Sequence, residues 1–168
     1  MKKLISSIIA IVFALNVSAY AEEKLTIEKQ LVGIVGAISG TVKTETRELK
    51  AGDKIYLNET IYAGVGAGTQ ILLLDQSTFT IGEDSEVVMD TFVFDPETND
   101  GKIVASVKQG SLKVISGLIS KKNPDSLTVE VPEGTLGSRG TEFQTIVSKG
   151  KTDTLLIGPG KNNTLGMR

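Results

Sequence analysis

Short apolar runs separated by turn-forming residues make up the chain after an N-terminal hydrophobic segment. Clusters of Gly, Pro, Asn and Asp recur at short, fairly regular intervals, and the runs between them are rich in Val, Ile, Leu, Thr and Phe. Such spacing, about 8–12 residues, is typical of all-β proteins. The pattern predicts an all-β fold: a two-layer sandwich or coiled β structure of about ten short, mainly antiparallel strands.

A central hairpin is the clearest single element. Residues 69–74 and 78–81 form two such runs, and Asp75-Gln76-Ser77 lies between them as the turn. The four consecutive apolar residues 71–74 predict a strand covered on both faces, whereas Phe79 and Ile81 alternate with threonines and predict one covered face.

Two further runs predict strands in different environments. Residues 86–94 carry apolar side chains at both odd and even positions, which predicts a central strand. Residues 127–131 instead alternate between apolar and polar side chains, so we expect one face to be buried and the other to contact water.

The first 21 residues have the pattern of a cleavable signal peptide. Lys2 and Lys3 precede a mostly apolar, uncharged run from Leu4 to Val17, and Ala19-Tyr20-Ala21 supplies the small residues of a cleavage site. The alternative, an uncleaved membrane anchor, would need about 20 apolar residues. We therefore expect removal of residues 1–21, a single domain over residues 22–168, no membrane insertion after cleavage, and a periplasmic or secreted location.

Charge excludes one class of partner. The leader contains two of the 18 basic residues and none of the 20 acidic ones, so the remaining chain has a net charge of −4. Only three arginines are present, at positions 47, 139 and 168. A nucleic-acid-binding protein would need a basic surface, so we predict no nucleic-acid partner.

Cysteine and histidine are both absent from the sequence. Their absence excludes disulfides and thiolate ligands, and it removes the commonest general base and the commonest transition-metal ligand. Catalysis by paired carboxylates needs neither residue, but no acidic residues are spaced to suggest it. We predict a protein that is not an enzyme and that has no catalytic residue, cofactor or metal ion.

Two loops resemble ligand sites only superficially. Residues 95–101, DPETNDG, place the oxygen-bearing side chains of Asp95, Glu97 and Asn99 at alternate positions. Asp100 and Ser106, however, stand where an EF-hand requires Gly and Glu. Turn propensity explains this segment as a loop between two strands. The glycine-rich residues 63–68 do not precede a helix, so we interpret them as a tight turn and not as a phosphate loop.

The segment EVPEGTLGSRGTEF (residues 130–143) carries the most distinctive arginine. Pro132 and Gly134 end one strand, and Gly137 and Gly140 flank Arg139 before Thr141 begins another. Glycines in this arrangement indicate a crowded crossing of the backbone. We interpret Arg139 as a structural clamp, because its guanidinium offers five donors in a rigid fork. Its candidate partners are Asp53, Asp75 and Asp84.

These segments together resemble the FecR domain family, named after an iron-dicitrate sensor. The resemblance extends from about Val32 to Val147 and includes LKAGDKIYLNETIYAG (residues 49–64) and ILLLDQSTFTIGEDSEV (residues 71–87). The motif residues are the turn Asp53, the hairpin pair Asp75 and Ser77, and the closing set Pro132, Gly134, Gly137, Arg139, Gly140 and Thr141.

The resemblance implies an extracytoplasmic all-β module that binds another envelope protein and is not an enzyme. Founding members of the family carry a membrane helix and a cytoplasmic sigma-factor-binding segment. This chain instead has a cleavable-looking leader at its start, so it is similar to stand-alone exported members, and the sequence does not support direct sigma-factor regulation.

Two functional hypotheses follow. The first is a protein-binding module in envelope sensing or signalling. It would bind its partner through an exposed strand edge or a loop surface. The alternative is a carbohydrate-binding, envelope-binding or purely structural exported module. Tyr56 and Tyr62 are the main candidates for stacking on a sugar ring, and this small number disfavours the carbohydrate hypothesis.

Overall fold

Thirteen strands and one short helix form the described part of the protein. The computed structural model describes residues 29–138, 142–158 and 165–167. The strands are β1 (Leu31–Ser39), β2 (Val42–Lys43), β3 (Lys54–Tyr56), β4 (Thr60–Ala63), β5 (Gly68–Leu73), β6 (Thr78–Ile81), β7 (Ser85–Phe94), β8 (Gly101–Ile115), β9 (Leu127–Val131), β10 (Gly134–Ser138), β11 (Glu142–Ser148), β12 (Lys151–Gly158) and β13 (Leu165–Met167). The helix α1 (Leu118–Lys122) and a 3₁₀ turn (Pro124–Ser126) connect β8 to β9.

The strands form two sheets that share β8. The first sheet has the order β3-β1-β5-β6-β8-β11-β12, and the second has the order β2-β4-β7-β8-β9-β10-β13. Among the described residues, only the pairing of β8 with β9 is parallel. The prediction of a mainly antiparallel, all-β structure is therefore confirmed.

Strand β8 joins the sheets because its two parts have different neighbours. Residues 101–109 pair with β7, whereas residues 110–115 pair with β11. The change occurs at Gly110, whose φ of +86° is rarely adopted by other residues. A Cβ at Gly110 would also collide with Ser85. The Ser85 hydroxyl in turn accepts a hydrogen bond from the Ser111 backbone N–H at 2.9 Å.

Side chains from both sheets form one hydrophobic core. The first sheet contributes residues such as Ile71, Phe79 and Phe143, and the second contributes residues such as Ile61 and Ile103. The pattern of residues 127–131 is confirmed, since Leu127, Val129 and Val131 are buried while Glu130 is exposed.

The predicted hairpin is present, but its environment differs from the prediction. Strands β5 and β6 pair through Ile71 and Phe79, and each also pairs with a second neighbour. The prediction that residues 71–74 are covered on both faces is wrong. Leu72 and Leu74 are 40% and 47% exposed, because their side chains point to the face of the first sheet that lies away from the described core.

Strand β7 is central, as predicted, because it lies between β4 and β8. A bulge at Asp90 changes the phase of its side chains, so Val87, Met89 and Phe92 are all buried while Val93 is exposed. The strand count exceeds the predicted ten because β2, β3 and β13 have only two or three residues each.

Candidate protein-interaction surface

Asp75 and Ser77 form a buried hydrogen-bonded turn between β5 and β6. Neither residue exposes any of its surface. The Asp75 carboxylate accepts hydrogen bonds from the Ser77 backbone N–H, at 3.0 Å, and from the Ser77 hydroxyl, at 2.8 Å. Between them Gln76 has a φ of +67°, so the carboxylate bonds stabilise a turn that its backbone does not favour. A buried carboxylate with this geometry supports a structure and has no access to a substrate.

Gly117, which the sequence did not single out, completes this turn. Its backbone N–H donates to the Ser77 hydroxyl at 2.9 Å, and the N–H of Leu118 donates to the Asp75 carbonyl oxygen at 2.8 Å. A Cβ at Gly117 would lie 2.7 Å from the carbonyl carbon of Gln76 and closer still to two neighbouring backbone atoms. The hairpin therefore packs directly on the segment between β8 and α1.

Asp53 lies in a separate turn. Its carboxylate accepts a hydrogen bond from the Lys50 backbone N–H at 2.8 Å, and its carbonyl oxygen accepts one from the Val35 N–H at 2.8 Å. The structure thus places Asp53 between the segment preceding β3 and strand β1, where it holds a surface turn against the first sheet.

The closing motif lies in the second sheet. Pro132 and Glu133 form the turn between β9 and β10, and Gly134 pairs with Val131 at its end. Gly137 pairs with Thr128, and a Cβ at Gly137 would meet no described atom within 4 Å. The crowding that we expected around this glycine is not observed in the described part of the chain. The remaining motif residues, Arg139, Gly140 and Thr141, lie outside the described residues, and so does the leader.

Charged side chains near the first sheet bind one another. The carboxylate of Glu59, which is nearly buried, lies 3.1 Å from a guanidinium nitrogen of Arg47 and 3.7 Å from Nζ of Lys29. It also accepts a hydrogen bond from the Tyr56 N–H. Both cations lie over the Tyr56 ring, at 5.8 and 5.9 Å from its centre. A sugar stacking on the side of the Tyr56 ring that these cations cover would have to displace them.

The acidic loop connects β7 and β8, as its turn residues predicted. Thr98 donates its hydroxyl to the Asp95 carboxylate at 2.8 Å, and this bond, followed by one from the Glu97 N–H, lowers the pKa of Asp95 below its ordinary value. The pKa of Asp100 is lowered mainly by Lys122, whose Nζ lies 2.7 Å away. Within the described ranges, no group of three or more Asp or Glu residues could hold a metal ion.

An exposed strand edge lies at one end of the first sheet. Strand β12 has eight residues and pairs, among those that the structure describes, with β11 alone. Its last half carries three consecutive apolar residues, Leu155, Leu156 and Ile157, with 64%, 41% and 41% of their surfaces exposed. Edge strands usually carry charges or prolines that prevent pairing with another chain. Here Lys151 and Asp153 lie only in the first half, where they form an ion pair at 2.9 Å.

The outer face of the first sheet also carries exposed apolar side chains near this strand, separated by polar ones. Ile146 on β11 and Ile115 on β8 are both about half exposed. Ile146 lies opposite Asp153 of β12, while Gln144 lies opposite Leu155. We refer to Leu155, Leu156 and Ile157 as the β12 edge. Such a surface can accept an extended segment of another protein.

A family model described as FecR protein matches residues 59–157, which is more than half of the chain. The chain belongs to the FecR family. The predicted resemblance is therefore confirmed, and the matched segment includes the Asp75–Ser77 turn and most of β12. No curated protein and no solved structure matches this FecR chain.

Family membership indicates a regulatory or signalling role related to the cell envelope, and FecR is not known as an enzyme family. The described residues of this FecR protein contain no helix that is long and apolar enough to span a membrane. The family match does not identify the surface that contacts other proteins. The β12 edge is the described surface with the most suitable geometry.

Proposed function

We propose that this FecR protein is an exported, non-enzymatic module that binds another envelope protein during sensing or signalling. The observation that carries the proposal is strand β12, which among the described strands pairs with β11 alone and has three adjacent apolar side chains at the end of a seven-stranded sheet. A strand edge provides backbone donors and acceptors for an incoming strand, and exposed alternate side chains provide selectivity.

Export is the second part of the proposal. It rests on the basic, apolar and small-residue pattern of residues 1–21 and on the lack of cysteine, which suits folding without disulfides. The predicted location is the periplasm or the extracellular space. Fractionation of cells that express the complete sequence, with N-terminal sequencing of the purified protein, tests both points. A protein recovered with Met1 intact in the cytoplasm would contradict export.

The binding surface can be tested by site-specific photo-crosslinking in cells. A photoreactive amino acid replaces Leu155 in one variant and Val93 in a matched control. Val93 is similarly apolar, 58% exposed and on a strand of the second sheet. We expect a discrete adduct with another envelope protein at position 155 and none at position 93. Equal labelling at both positions, or none at either, would contradict the proposed surface.

A further inference from the structure

Strand β12 differs in length from the other strands that end the two sheets. Strands β2, β3 and β13 end the two sheets with two or three residues each, whereas β12 offers eight. Very short edge strands are themselves a protection against pairing. Two protective features are present on β12: the charges Lys151 and Asp153 in its first half, and a bulge at Ile157, where β12 has one residue more than β11.

We propose that the β12 edge pairs with the β12 edge of a second copy of this chain, in an antiparallel ladder centred on Leu156. This inference rests on the proposed function, because it specifies one partner for the same surface. Most oligomers of identical chains are two-fold symmetric, and a two-fold axis perpendicular to a sheet makes the joined strands antiparallel.

Symmetry restricts the register of such a ladder. Residues directly opposite each other in an antiparallel pair point to the same face of the sheet. A two-fold axis perpendicular to the sheet also keeps each residue on the same face in both copies. The axis must therefore pass between one residue and the same residue of the second copy. A ladder centred on Asp153 would oppose two carboxylates, which is destabilising. Centring on Thr154 or Leu155 would place Asp153 opposite an apolar side chain, Leu155 or Ile157 respectively.

Centring on Leu156 avoids both conflicts. Leu156 then lies opposite Leu156 of the second copy. Leu155 comes nearest to Ile157 of the second copy, at the bulge where the regular alternation is interrupted, so the three apolar side chains meet apolar neighbours. Lys151 and Asp153 then have no counterpart in strand β12 of the second copy, which ends at Gly158. The edge is thus complementary to itself in one of these registers.

The paired copies would extend one sheet across the axis. Each first sheet has seven strands and ends at β12, so the ladder would join two such sheets. A ladder of this length buries less area than the roughly 1,200 Å² of a stable protein complex. We therefore expect weak, reversible association.

The absence of cysteine permits a direct test of the register. Single variants Thr154→Cys, Leu155→Cys and Leu156→Cys are expressed from the complete sequence, purified as processed by the cell and oxidised at high protein concentration. Only a residue opposite its own copy brings two Cβ atoms within the range of a disulfide. We expect a covalent dimer for Leu156→Cys in large excess over the others and over a Val93→Cys control.

Charge variants test the same interface without crosslinking. In Leu155→Lys/Ile157→Lys, the ladder would oppose lysines, so analytical ultracentrifugation should show monomers at concentrations at which the unmodified protein dimerises. Val93→Lys should dimerise normally, because Val93 lies on the second sheet. Both substituted surfaces are exposed, and thermal unfolding verifies that the variants remain folded.

The two proposals fail in different ways. A protein that stays monomeric at millimolar concentration, or that crosslinks best through Thr154 or Leu155, overturns the ladder centred on Leu156. Photo-crosslinking at position 155 to a different envelope protein would still support the proposed function. An adduct with twice the mass of the chain at that position supports the homotypic ladder.

Discussion

The hydroxyl of Ser77 donates a hydrogen bond to the Asp75 carboxylate at 2.8 Å inside a turn that is closed to solvent. The same hydroxyl accepts a hydrogen bond from the Gly117 N–H at 2.9 Å. One oxygen atom therefore connects the β5–β6 hairpin to the segment that follows β8. Its partners are a charge and a backbone donor, both of which are costly to bury without a bond.

Replacing Ser77 by Ala should destabilise the protein by about 2–3 kcal/mol, because it removes the hydroxyl bond to Oδ2 of the buried Asp75 carboxylate and the acceptor of the Gly117 N–H. The bond from the Ser77 backbone N–H to Asp75 Oδ1 remains. Urea unfolding monitored by circular dichroism measures this change. Thr98→Val is the matched control, since Thr98 donates an equally short hydroxyl bond to Asp95 in an exposed loop. There we expect a change below about 0.5 kcal/mol. Equal losses in the two variants would contradict the importance of burial.

Replacing Gly117 by Ala should cost at least about 3 kcal/mol in free energy of unfolding. The added Cβ would collide with backbone atoms of residues 75–77, which cannot move as a side-chain end can. Gly137→Ala provides the comparison, because its Cβ would meet no described atom. We expect that variant to unfold within about 1 kcal/mol of the unmodified protein. A larger loss at Gly137 than at Gly117 would show that the crowding lies near Arg139 after all.

Periodicity predicted the β5–β6 hairpin and the strand Leu127–Val131 because each side of those strands keeps one environment throughout. It also predicted that β7 is central, but not the face of Phe92, which the bulge at Asp90 moves to the same side as Met89. A bulge adds one residue to a strand and requires no characteristic residue type, so the alternation of apolar and polar residues cannot locate it. The exposure of Leu72 was missed for another reason, since apolar residues on an outer face have the same sequence pattern as buried ones.

The sequence predicted the type of the candidate site but not the strand that forms it. A strand edge was expected as the recognition surface, but which strand ends a sheet depends on long-range pairing that a local pattern does not contain. The apolar triplet at residues 155–157 has the composition of a buried strand, and its exposure follows from the position of β12 beyond β11. Gly117 was missed similarly, because its close neighbours are forty residues away in the chain.

Removing the Thr98 hydroxyl should raise the pKa of Asp95 towards its ordinary value, because that hydrogen bond is the largest cause of the depression. A depressed pKa means that the ionised carboxylate stabilises the loop above the pKa of the unfolded chain, and that this contribution is lost as pH falls through the folded-state pKa. A carboxyl-carbon NMR titration of Thr98→Val against the unmodified protein measures the midpoint. An unchanged midpoint would assign the depression to the Glu97 N–H instead.

Arg139→Ala should lower the melting temperature if the arginine is the structural clamp that its flanking glycines predict. A buried guanidinium usually satisfies several acceptors, so its removal leaves those groups without donors, and a loss of several degrees is expected. Arg139→Lys should recover little of that loss, because an ammonium lacks the planar fork. Differential scanning calorimetry of both variants, combined with the photo-crosslinking at position 155, separates structure from recognition. A variant that melts normally but no longer forms the crosslink would show that Arg139 contacts the partner.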